Sequence, residues 1–382
     1  MTRQFARPLR AVLSVTVLMM AVLLLAACGG GAAEPAATPT GPAESTAEPT
    51  AGADEAGGST PTAEPGPDPF ADVPGIVDST NRGWPRVVQG LNGRITIESK
   101  PARIHTTSVG FDEITVGLVP IARLAAVGTS TQNPDYSNVA SVVADVRAVG
   151  RDPEQIASVE ADLVVASPNR DADFIRALEN VDITVVQLEL REGAEGRIET
   201  ILLLGYLYGE EERALQLVRE VQERHETLVA ATRSSASGSS PRVMYTTKYA
   251  ENMTTSAAGS TPESITLAAG GSCAPCDAGL KGYPRISLET LISVNPDVIV
   301  IPMTATEGEA FRDELFAAPV LAEVPAIRDK RVYVVPGKFH TTLSYENIRG
   351  AEQLAAILWP GDFPAEYLES PPPFSLPAFG LR

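Results

Sequence analysis

Basic side chains are scarce. Only 30 Lys and Arg stand against 48 Asp and Glu in 382 residues, a net charge of −18. Such a chain has no basic stripe to meet phosphates, which excludes a nucleic-acid partner. Histidine is scarcer still, at His105, His225 and His340. A zinc or manganese centre needs several His and carboxylate ligands close together, so no metal site is expected. Cysteine occurs three times, as Cys28 and the close pair Cys273 and Cys276. The one long apolar run covers residues 11–27, and no Lys or Arg follows it until Arg82.

What is present starts with Arg3, Arg7 and Arg10 ahead of that run, followed by Leu25-Ala26-Ala27-Cys28. A basic head, an apolar middle and small residues before a break form an export signal over 1–27, although the run lies at the short end of a membrane span. Leu-Ala-Ala-Cys resembles the lipobox of bacterial lipoproteins, which implies lipidation at Cys28 and a place on the extracytoplasmic face of the cell membrane. Residues 28–81 are Ala, Gly, Pro, Thr, Ser and Glu, and nine acidic residues fall between Glu34 and Asp78. That composition cannot offset chain entropy by burial and predicts a disordered, extended tether.

Folded sequence is expected from residue 82. Leu91-Asn92-Gly93 between two alternating segments predicts a hairpin. Short β-branched runs at 104–107, 124–127, 163–166 and 183–187 alternate with helix-like stretches, the pattern of a parallel sheet covered on both faces. Residues 210–232 carry one apolar stripe (Ala214, Leu217, Val218, Val221, His225, Leu228) and no Pro or Gly, which predicts a long straight helix. A second α/β set follows, with runs at 243–245, 298–301 and 332–335. The expected order is an amino lobe over 82–209, a joining helix over 210–233, a carboxy lobe over 234–362 and a Pro-rich tail over 363–382.

One signature occurs twice. Residues 154–165 (Glu-Gln-Ile-Ala-Ser-Val-Glu-Ala-Asp-Leu-Val-Val) match residues 289–300 (Glu-Thr-Leu-Ile-Ser-Val-Asn-Pro-Asp-Val-Ile-Val). The identities are Glu154/Glu289, Ser158/Ser293, Val159/Val294, Asp162/Asp297 and Val165/Val300. Asp152 with Pro153, and Ser287, read as helix caps that put both glutamates in first turns. With Pro101-Ala-Arg-Ile and Arg331-Val-Tyr-Val-Val, this repeat resembles the ABC-transporter binding proteins for siderophores, haem and cobalamin, over about residues 86 to 360. The resemblance implies an α/β fold of two Rossmann-like lobes joined by a rigid helix, with ligand in a largely preformed cleft between them. It implies a monomeric, non-enzymatic, membrane-anchored protein. It takes up a metal chelate that may bring its own iron or cobalt, holds no cofactor of its own, and delivers to a permease dimer with ATPases. In the family an acidic residue on each lobe pairs with permease arginines, which assigns docking to Glu154 and Glu289. Both are expected away from the strand-end loops, and plain complementing of the helix dipole stays open beside docking.

Ligands of open α/β sheets collect at the carboxyl ends of strands. This singles out Ser108, Arg170, Lys248, Met303 and His340. Tyr136 joins them because it matches a loop with a ligand-facing tyrosine in several relatives. A surface tyrosine and an exposed loop arginine are the plain alternatives for Tyr136 and Arg170. His105 and His225 are expected to pack within the lobe and on the helix stripe. Cys273 and Cys276 are expected to form a local disulfide outside the cytoplasm. An exported thiol-disulfide redox protein is the enzymatic alternative, disfavoured because that motif normally opens a helix after a strand, whereas this pair reads as part of a loop. A sensor of the same fold is the third reading.

Overall fold

The computed structural model describes residues 68–374, apart from Ser237 and Ser239. The expectations for the signal peptide, for Cys28, for the tether up to residue 67 and for the tail beyond 374 lie outside the described residues.

The hairpin forms as β1 (Arg86–Gly90) and β2 (Gly93–Ile97). Its tip docks on the first lobe, where Asn92 accepts from the Gln187 amide and donates to the Val185 carbonyl, both at 2.9 Å. Gly90 is needed there, since a Cβ would stand 2.9 Å from the Gln187 carbonyl oxygen. The first lobe holds β3 (Ile104–Thr106), β4 (Leu124–Gly128), β5 (Ala148–Val149), β6 (Leu163–Ala166) and β7 (Thr184–Gln187), all parallel in the order β5-β4-β3-β6-β7. Its helices are α1 (Val109–Leu118), α2 (Pro153–Ala157), α3 (Ala172–Glu179) and α4 (Gly193–Tyr208).

The joining helix α5 runs Glu211–Ser235, 25 residues and about 37 Å at the usual rise. Ala214, Leu217, Val218 and Val221 belong to the first lobe's core, and Leu228 belongs to the second's. One rod thus has an end in each core. The second lobe adds β8 (Arg242–Tyr249), β9 (Asn252–Ser256), α6 (Thr261–Ala268), β10 (Ser272–Cys273), β11 (Val298–Pro302) and β12 (Val332–Val335). Its parallel order is β10-β8-β11-β12, with β9 folded back antiparallel on the far half of β8. Each strand read from a β-branched run is present.

The repeated signature builds the same corner in both lobes. After α2 the chain turns at Glu160 in the left-handed region, and after Leu288–Val294 it turns at Asn295 likewise. In the first lobe Asp162 accepts from the Ala102 and Arg103 amides at 2.7 and 3.0 Å, while the Arg103 side chain donates to the Val159 and Glu160 carbonyls. In the second, Asp297 accepts from the Arg242 amide at 2.9 Å, and Arg242 donates to the Val294 and Asn295 carbonyls at 2.8 and 2.6 Å. The arginine satisfies the helix-end carbonyls that lack intrahelical partners, and the aspartate pins the entry of the lobe's first strand.

Two boundaries differ from expectation. Packed chain begins by residue 68 rather than 82: Phe70 is 1 % exposed, Val73 is buried, and Ile76 bridges to Val88. The tail from 363 is also packed. Phe374 meets Tyr345 edge-on at 4.8 Å and lies under the Arg224 guanidinium, while Arg349 and Arg224 donate to the Pro371 and Pro372 carbonyls. Tyr345, from the far end of the chain, is part of the first lobe's core, and Phe374 packs against it. A few apolar anchors hold these otherwise polar, Pro-rich segments.

Candidate ligand-binding cleft

Both lobes open cavities at the carboxyl ends of their strands. The first-lobe cavity, about 570 Å³, is walled by the loops after β3, β4, β5 and β6. Its lining is rich in hydroxyls, among them Thr107, Ser108, Thr129 and Ser167, and carries two cations, Arg151 and Arg170. Ser108 caps α1 by accepting from the Phe111 amide, and so is placed by the helix it starts. Beneath the cavity Asp112 accepts from the Thr106 and Thr131 hydroxyls at 2.7 and 2.5 Å and from the Gly128 amide at 3.1 Å. That ties the ends of β3 and β4 together. Burial outweighs these bonds and pushes the Asp112 carboxyl up to about 7.

Arg170 packs its guanidinium 4.9 Å over Phe174 and reaches the Thr107 carbonyl only at 3.5 Å, while its Nε is buried without a partner among the described residues. Partial burial, then repulsion from Arg151, lowers its pKa, and nearby Asp171 opposes this. No carboxylate lies among the residues lining this cavity. A paired cation and underused donors suit a carboxylate or phosphate group.

The second cavity, about 220 Å³, also has hydroxyls in its lining but adds tyrosine rings and lacks a cation. Tyr136 from the first lobe and Tyr249 and Tyr283 from the second surround it, at 50, 57 and 55 % exposure, with Pro262, Pro302 and Met303 between them. Glu307 is the one charged residue in the lining. Exposed rings around a hollow offer flat apolar faces for stacking.

The sequence candidates thus divide. Ser108 and Arg170 line the first cavity, and Tyr136 and Met303 line the second. Lys248 pairs with Glu314 at 2.6 Å and lines an adjoining hollow together with Tyr249, Met303 and Glu307, while Thr247 and Tyr249 line the second cavity itself. His340 is corrected. The short helix Gly337–His340 turns it inward to 0 % exposure, between the Tyr245 hydroxyl at 2.9 Å and Gln353 Oε1 at 2.8 Å. Burial presses its pKa down to about 4, so it stays neutral in the core. Gly337 and Thr341 line the cavity instead. His105 is buried as expected, on the Ala126 carbonyl at 3.1 Å, and His225 is half-buried on α5.

Glu154 and Glu289 are exposed in the first turns of their helices, capped by Asp152 and Ser287 as expected. Neither glutamate lines a cavity, although in sequence α2 follows Gly150 and Arg151 of the first lining and the Leu288–Val294 helix follows Tyr283 of the second. Cys273 and Cys276 are disulfide-bonded. The pair does not lie in a loop: it ends β10 and opens the one-turn helix Ala274–Asp277, with Cys273 buried.

Two carboxylates bridge the lobes. Glu113 on α1 is 0 % exposed and accepts from the Asn138 amide at 2.7 Å, the Asn138 side chain at 3.0 Å, and the Thr342 and Ser344 hydroxyls. Glu192, ahead of α4, accepts from the Thr261 amide at 2.7 Å, the Thr261 hydroxyl and the Tyr283 hydroxyl at 2.9 Å. Neither bridge, nor Tyr283, was selected from sequence. Tyr283 follows no strand, and a single Glu says nothing of a partner far along the chain.

Comparison with known proteins agrees with this architecture. The profile of a family described as periplasmic binding protein matches residues 77–339. An uncharacterized ABC transporter substrate-binding lipoprotein, YvrC, of Bacillus subtilis is 25 % identical over 284 residues, 71 % of this chain and 84 % of that one. A cobalamin-binding protein of Halobacterium salinarum is 27 % identical over 230 residues, 59 % of this chain and 60 % of its own length. Among solved structures, a periplasmic heme binding protein from Pseudomonas aeruginosa superposes with a TM-score of 0.59 at 21 % identity, covering 68 % of this chain and 94 % of the other.

Proposed function

Because the chain belongs to the periplasmic binding protein family, we propose that it is the extracytoplasmic substrate-binding lipoprotein of an ABC importer, and that it captures a metal chelate (ferric siderophore, haem or cobalamin). The observation that carries this reading is the polarity of the cleft. One end offers Arg151 and Arg170 among hydroxyls, and the other offers Tyr136, Tyr249 and Tyr283 around Met303. A ligand with an anionic edge and a broad apolar body meets both. Tyr136 supplies either a stacking face or a phenolate for ferric iron. The protein performs no chemistry itself. Cys28 would carry the lipid that holds it to the membrane, and the permease with its ATPases would do the work.

Titrating the full-length protein with a ferric siderophore, haem and cobalamin, while following quenching of intrinsic fluorescence, tests the reading. Saturable quenching by one of the three is the expected result. A folded sample that binds none of them removes the proposal.

Docking to the permease falls to Glu154 and Glu289, one exposed first-turn carboxylate per lobe. Glu154→Ala and Glu289→Ala should each leave chelate affinity within about a few-fold and weaken uptake, since each leaves a permease cation unmatched. The double variant should be worse than either. Uptake by the double variant equal to that of the parent would reduce both glutamates to helix-dipole partners.

A further inference from the structure

We propose that the cavity where α4, α5 and the helix Asn347–Leu358 meet is a second binding site, and that it takes a small oxyanion retaining an O–H, of the hydrogencarbonate or dihydrogenphosphate kind. This hollow, about 220 Å³, shares no lining residue with either cleft cavity. Arg197 enters it from α4, His225, Gln222 and Glu226 from α5, and Asn347 from the third helix.

Arg197 is the reason to expect an anion. It is 6 % exposed, and its Nη1 has no partner among the described residues. Burial lowers its pKa only to about 10, so it remains charged at neutral pH. Nearby Glu192 opposes this lowering, yet its oxygens are taken by Thr261 and Tyr283. A buried charge left without a hydrogen-bonded partner is costly, and a guanidinium presents five donors.

Asn347 narrows the class of ligand. It is 1 % exposed and spends its amide nitrogen on the Thr342 carbonyl at 3.1 Å, while its Oδ1 has no partner among the described residues. Arg197 and Asn347 both line the cavity, and each keeps one enclosed polar atom that no described residue pairs, a donor on the cation and an acceptor on the amide; an oxyanion that also donates answers to both. Halides and deprotonated carboxylates satisfy the arginine alone. Water satisfies the hydrogen bonds but not the charge. Glu226, exposed at the mouth, limits the site to anions of low charge.

His225 supplies a reporter inside the site. Burial first, and then Arg197, lower its pKa, with Glu226 opposing, while Asn347 and Ile348 on the third helix bring no charge. An anion beside Arg197 removes the repulsion, so the His225 titration must move upward. The chain's other histidines, His105 and His340, are buried elsewhere with pKa values near 4, outside this cavity's lining.

The experiment uses the full-length protein with labelled histidine, at constant ionic strength, in hydrogencarbonate, phosphate or chloride. Hydrogencarbonate or phosphate should raise the His225 midpoint, and chloride should not. At about tenfold over its Kd the effective anion should also raise Tm by roughly 2–4 °C. Arg197→Gln should abolish both responses. An unmoved His225 titration in both oxyanions means the cavity holds water and overturns the proposal, as does an equal Tm response in Arg197→Gln. If that variant does not fold, the parent's His225 titration decides alone.

Discussion

Protein carrying Arg170→Glu is expected to bind ferric haem on the order of 100-fold more weakly than the parent, yet to bind the haem dimethyl ester within about a few-fold of it. The difference lies in the propionates, which the ester masks. In the parent a carboxylate entering the first-lobe cavity meets Arg170 with its Nε unpaired and Arg151 beside it, and no acid in the lining competes. A charge-assisted hydrogen bond is worth about 1.5–3 kcal/mol, and reversing the charge adds repulsion to that loss. On the proposed reading the apolar body of the ligand would rest against Tyr136, Tyr249 and Tyr283, which the substitution does not touch. Equal weakening for acid and ester would mean that Arg170 shapes the loop, over Phe174, without meeting the ligand's charge.

Glu113→Gln is expected to destabilise most in mild acid and least above neutrality, with the difference changing by about 2–4 kcal/mol between about pH 5 and about pH 7.5. Burial, then repulsion from Glu346, pushes the Glu113 carboxyl up to about 7, and the bonds from Asn138, Ser344 and Thr342 only partly offset them. A folded-state pKa above the unfolded value stabilises fully below the unfolded value, and the gain is lost as pH rises through about 7. Asp112 behaves alike. His105 and His340, pressed to about 4, act the other way: their contribution is present above about 6.5 and is lost as pH falls through about 4. In the parent these slopes largely cancel between about 4.5 and 6.5, and the variant uncovers them. Denaturant unfolding of both proteins at the two pH values measures the effect. A pH-independent difference would show that Glu113 is ionised throughout, held by its four hydrogen bonds.

The strands and α5 were legible because burial on both faces selects continuous β-branched runs, and because one apolar stripe over 25 residues admits a single secondary structure. The repeat was legible too, but its physical content was not. Asp162, Asp297, Arg103 and Arg242 work through backbone groups, which leave no trace in side-chain patterning. Site residues were harder. Reading a strand end names the loop, but not which of its residues line which hollow, and a single turn of helix takes His340 into the core. Residues 68–81 and 371–374 looked too polar and Pro-rich to pack. Phe70 and Val73 are buried and Phe374 is partly buried against the core, and a fully buried apolar side chain is worth about 1.5–3 kcal/mol.

Tyr345 and Phe374 also set an order of events. The first lobe has all its strands by Gln187, but its core has a place for Tyr345 and a contact for Phe374, both of which lie beyond the last strand of the second lobe. A chain that emerges amino end first cannot fill that place until nearly its whole length is free. Contacts of such long sequence separation are made late. The amino-terminal lobe therefore waits, unfinished, for residues that follow the last strand of the second lobe.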